Sequence, residues 1–117
     1  MNAPIGTTAQ PQSVARRFHL HLPLRYRPAG EERWYDGITE NISASGVLFR
    51  ARHVFGPETP VEISLALPLE ESKPSTVSVH YTGAIVRLEL PRESNQLPAL
   101  GAKFFHHQIS GQLPAEA

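Results

Sequence analysis

Apolar residues recur at every second position in stretch after stretch of this chain, and nowhere does an apolar stripe at helical spacing persist for three turns. Leu20, Leu22, Leu24 and Tyr26 alternate with His21, Pro23, Arg25 and Arg27, and Val61, Ile63, Leu65 and Leu67 alternate with Glu62, Ser64 and Ala66. Period two is the spacing of a strand with one buried face. Pro23 has no N–H to donate, which predicts an edge or a bulge there. Turn signals divide the strands: Pro28-Ala29-Gly30 precedes the stretch Trp34 to Ile42, the segment Asn41 to Gly46 joins it to Val47-Leu48-Phe49-Arg50, and Gly56-Pro57 with Pro60 break the chain before Val61. From Val77 the apolar positions are odd-numbered (Val79, Tyr81), and beyond Gly83 they are even (Ala84, Val86, Leu88, Leu90). That change of phase predicts a long bent strand with a β-bulge near Gly83. Leu100, Ala102 and Phe104 mark a last strand, and only the segment after Phe105 could supply a short helix. Roughly six short strands must hide their edges, and closure into a small antiparallel barrel does so; the predicted class is all-β.

A chain of 117 residues suits one domain with one core. Hydrophobic residues at 40% and charged residues at 19% place it among folded globular proteins rather than disordered ones. Residues 1–14 and 110–117 lack periodicity and read as flexible tails around a domain at 15–109. No apolar run approaches the ~20 residues that span a bilayer, and Met1 to Ser13 lack the apolar centre of a signal peptide, so the expectation is a cytoplasmic protein with no membrane insertion. The absence of cysteine excludes disulfides, thiolate metal sites and a thiol nucleophile. No Gly-x-Ser-x-Gly, phosphate-binding glycine loop or well-placed carboxylate pair points to an enzyme. His19 and His21 have a two-ligand spacing for a metal but no identifiable third ligand, so no metal site is assigned.

Eleven basic and eleven acidic residues cancel, so the chain offers no field for DNA or RNA. Locally the balance differs: Arg16, Arg17, Arg25, Arg27 and Arg33 fall close together with His19 and His21, opposed only by Glu31 and Glu32. Such a basic arm suits a small anion, although an arm of this kind alone is most often a solvated charged segment.

Taken in order, these pieces resemble the PilZ family across nearly the whole folded region. The resemblance rests on the basic arm before a Leu-Pro-Leu-Arg-Tyr strand, on Asn41-Ile42-Ser43-Ala44-Ser45-Gly46 as an Asp/Asn-x-Ser-x-x-Gly turn, and on Leu67-Pro68. It extends to the Gly-x-Ile-Val-Arg strand at Gly83 to Arg87 and the closing Leu-Gly-Ala-Lys-Phe-Phe at Leu100 to Phe105. The resemblance implies a six-stranded antiparallel barrel, cyclic di-GMP as ligand and a protein effector as partner. It implies ligand-binding roles for Arg16, Arg17, His21, Asn41, Ser43 and Gly46.

The chemistry of those residue types fits such a ligand. A guanidinium fork donates paired hydrogen bonds to phosphate oxygens and to guanine O6 and N7. Strand alternation predicts Asn41 and Ser43 on one face, toward a purine edge, with Ile42 inward, and Gly46 supplies the positive φ of the turn. One position departs from the family pattern: the second arginine of Arg-x-x-x-Arg is His21. An imidazole offers no fork, and losing one charged hydrogen bond costs about 1.5 to 3 kcal/mol, about ten- to a hundredfold in affinity. Two expectations follow: a receptor of weakened affinity, with Arg25 or Arg27 compensating if the fold brings them to the same pocket, or a degenerate domain that acts only through protein contacts.

Overall fold

The computed structural model describes residues 17–70 and 73–114, so Arg16, the whole predicted N-terminal tail and the last three residues of the C-terminal one lie outside the described residues. Six strands follow in order: β1 (Pro23–Pro28), β2 (Tyr35–Ile42), β3 (Gly46–Ala51), β4 (Pro60–Glu70), β5 (Lys73–Glu89) and β6 (Ala99–Pro114). They close into an antiparallel barrel in the order β1-β2-β3-β6-β5-β4. The all-β barrel is as the alternation predicts. Pro23 is not at an edge, because β1 pairs with β2 on one side and β4 on the other; it is the first residue of its strand, where a missing N–H costs least.

Inward side chains of every strand fill the barrel, with Tyr26, Phe49, Ile63, Ile85 and Leu100 at most 1% exposed. Tyr26 lies against Phe49 and Tyr35 with ring centroids 4.9 and 5.7 Å away, and its hydroxyl donates to the carbonyl of His53. Burial is the main reason its phenol is pushed up to about 12. Tyr35 therefore packs the barrel.

The phase change in β5 falls later than the apolar pattern suggests. Val79, Tyr81, Gly83 and Ile85 all point inward, and the register with β6 slips between Ile85 and Arg87, which leaves Val86 as the extra residue of a bulge. A second slip does occur at Thr82/Gly83, but there the extra residue is Phe105 of β6. Gly83 is required because a Cβ at this point would collide with the carbonyl of Lys103. The segment after Phe105 is strand, not helix: from His106 to Pro114 it pairs with Thr82 back to Ser75, which satisfies its backbone groups in a ladder. β6 thus runs past residue 109, where the sequence reading ends the folded part. No helix occurs among the described residues, and none could cross a membrane.

Candidate functional site

The lead-in before β1 does not hang free. Residues Arg17 to Leu22 lie alongside the end of β2, where Phe18 N–H donates to Ile42 O at 2.8 Å and Ile42 N–H donates to Phe18 O at 3.0 Å. Thr39 is the clamp. Its backbone N–H donates to Leu22 O at 2.9 Å, its hydroxyl accepts from Leu22 N–H at 2.8 Å, and the same hydroxyl donates to Leu20 O. Nothing in the alternation distinguishes Thr39, a buried hydroxyl in a strand, and its role emerges only from this pairing.

Held this way, the lead-in delivers Arg17 to the β2–β3 turn. Arg17 Nη1 donates to Asn41 Oδ1 at 2.6 Å, a charge-assisted length. Asn41 is reachable because the β2–β3 register slips between Thr39 and Asn41, leaving Glu40 as the extra residue, ion-paired to Arg50 at 3.1 Å. The expected common face of Asn41 and Ser43 is not formed. β2 ends at Ile42, so alternation stops there, and Ile42 and Ser43 are both buried. Ser43 builds the turn: its N–H donates to Gly46 O at 2.9 Å and its Oγ accepts from Ser45 N–H at 3.2 Å. Gly46 also serves a different purpose from the one its motif suggests. Its φ is not positive; a Cβ there would strike the carbonyl of Ala102, so glycine lets β3 pair closely with β6.

Arg17, Ser45, Gly46, Arg87 and Lys103 border an open cleft of about 340 Å³. Arg87 is ion-paired to Glu89 at 3.0 Å on the rim, whereas Lys103 has no carboxylate partner among the described residues. These two cations are the ones that residue-by-residue reading misses. The signal for Lys103 is topological: β6 pairs with β3 so that Lys103 stands directly opposite Gly46.

The other predicted cations go elsewhere. Arg27 is hydrogen-bonded and ion-paired to Glu62 of β4 at 3.1 Å, and lies over the Trp34 ring at 4.3 Å, with Arg25 at 5.9 Å. His80 also contacts Glu62 at 3.1 Å. Burial opposes ionisation of Glu62, but the hydrogen bond and charge of Arg27, aided by His80, outweigh it and hold the carboxyl below its usual range. Arg33 lies over Tyr35. Neither Arg25 nor Arg27 lines the Arg17 cleft, so neither replaces the missing motif arginine there. His21 is exposed and takes part in no hydrogen bond or ion pair among the described residues.

The family model described as PilZ domain matches residues 12–113. Among solved structures, that of Bacillus subtilis inhibitor of motility (MotI/DgrA) aligns with a TM-score of 0.64 at 17% identity. The alignment covers 77% of this chain and 41% of that one, so the chain spans well under half of that protein's length. No curated protein matches the sequence.

Proposed function

The chain belongs to the PilZ domain family, and from that premise we propose that it is a cytoplasmic, non-catalytic receptor module that binds cyclic di-GMP in the Arg17 cleft and passes the signal to a protein effector. The observation that carries this reading is the 2.6 Å bond from Arg17 to Asn41, which joins the basic lead-in to the turn motif. In the free protein the amide of Asn41 is a neutral partner that a phosphate can displace; the guanidinium then grips the phosphate, and the released amide is free to pair with a guanine edge. Lys103, which has no carboxylate partner among the described residues, adds a positive charge at the same cleft, and Gly46 lines that cleft beside it. Arg16 joins Arg17 in this role by its place in the motif.

Calorimetric titration of the full chain with cyclic di-GMP tests the proposal. Saturable binding is expected, weakened about ten- to a hundredfold in Arg17→Ala. Absence of both heat and chemical-shift change at millimolar ligand would overturn it. A second reading, a protein-interaction module that has lost its nucleotide, draws support from His21, which stands exposed where the family places a guanidinium. Micromolar binding by the unaltered chain would exclude that reading.

A further inference from the structure

On the outer wall beside the cleft, two of the three β5–β6 bulges turn large apolar side chains toward water. Their extra residues, Val86 and Phe105, are 55% and 67% exposed. Bulges are a means of re-aiming side chains, and single exposed apolar residues mean little, but two of them border one cleft of about 600 Å³ with Pro57, Pro60 and Ala84. Its other wall is a fixed loop. Glu58 holds φ at +74°, a strained value for a non-glycine residue, and its N–H donates to Ile85 O at 2.6 Å while Ile85 N–H donates to Thr59 O at 2.9 Å. Loop and bulge are thereby stitched together through Ile85, next to Val86.

Charge decides what fits. Pro60, Ala84 and Lys103 stand in one row across β4, β5 and β6, so the Glu58 loop and Lys103 flank the apolar strip from opposite sides. Neither Glu58 nor Lys103 has an ion-pair partner among the described residues. An apolar strip with one unpaired acid on one side and one unpaired base on the other is complementary to itself under a two-fold rotation, the requirement of an isologous interface. The whole chain has zero net charge, so nothing at long range opposes the approach.

We infer that the Val86–Phe105 face is the contact of a two-fold dimer, in which Lys103 of each copy meets Glu58 of the other. The contact shares Lys103 and Val86 with the Arg17 cleft but needs no nucleotide, so its test is made on the nucleotide-free chain and reads association alone. Sedimentation velocity across a roughly hundredfold range of protein concentration around the micromolar should show a monomer–dimer equilibrium. Glu58→Lys and Lys103→Glu should each raise the dimer dissociation constant about tenfold or more, since each sets like charges opposite one another. An equimolar mixture of the two variants should restore dimer to the level of the unaltered chain, because both contacts are then again between opposite charges. Replacing Val86 and Phe105 together by serine should leave a folded monomer, as judged by circular dichroism. The inference falls if the unaltered chain stays monomeric to about a millimolar, as it would if another protein covers this face. It falls too if the mixture does not restore association, or if dimers form that none of the variants weakens.

Discussion

Arg17 and Arg27 stand ten residues apart and look alike in sequence, yet the fold assigns them opposite tasks. Arg27 meets a carboxylate, Glu62, and lies over the Trp34 ring, so its charge is already answered from within the chain. Arg17 meets an amide, Asn41, and shares a cleft with Lys103, which has no carboxylate partner among the described residues. A guanidinium with an anionic partner is a strut; one parked on a neutral oxygen has charge left for an external anion. Clustering of arginines in sequence therefore overstates the binding arm, and the identity of each partner sorts it.

Exchanging the two losses is the sharpest test. Arg27→Ala should lower stability by about 1.5 kcal/mol, through a charged hydrogen bond and a cation–π contact, with cyclic di-GMP affinity unchanged. Arg17→Ala should do the reverse, with thermal unfolding moved by no more than about 0.5 kcal/mol, as expected of an exposed surface position. Calorimetric titration and thermal melts on both variants read the contrast. If Arg27→Ala also weakens the nucleotide, the separation of strut from grip is wrong.

A smaller effect distinguishes the same regions by pH. The Glu62 carboxyl is held below its ordinary value of 4.5 in the folded chain. Its pairing thus adds stability that is full above that value and is lost as pH falls through the lowered folded value. Melts between about pH 6 and 3 should show the unaltered chain losing somewhat more stability than Glu62→Gln, by less than about 1 kcal/mol, because the pair is partly exposed. Parallel curves for the two proteins would remove Glu62 from the acid response.

How far the sequence discloses this arrangement depends on the range of the interaction. β1 and β4 are legible because alternation is local and each strand shows one buried face to one core. The bulge at Val86 is legible as a change of phase but not in its place, because Ala84 and Val86 are apolar on the outer wall and imitate an inward pair. Arg17 and Asn41 are found through motif order. The parts Ser43 and Gly46 play in building the turn and the β3–β6 contact are not, since both depend on where β2 stops and how close β6 approaches. Lys103 enters the site by strand register, a relation between segments distant in sequence that no local pattern contains.

The smallest expected change tests the position where the family pattern is broken. Thr39 pins Leu20 and Leu22 on either side of His21, so the backbone there is fixed while the imidazole stands in water. His21→Arg should leave the melting temperature unchanged and add a guanidinium at the edge of the Arg17 region. An exposed charge acting through solvent is worth little, so the expected gain in cyclic di-GMP affinity is about twofold to threefold at low salt. That gain should shrink as salt shortens the reach of the charge, because an added arginine that only attracts the ligand is screened, whereas one that closes a bidentate contact is less so. A gain that persists at high salt would show position 21 touching the guest and would move the site boundary from the turn to the whole lead-in. No gain at any salt would confine the grip to Arg17 and its neighbours in the cleft.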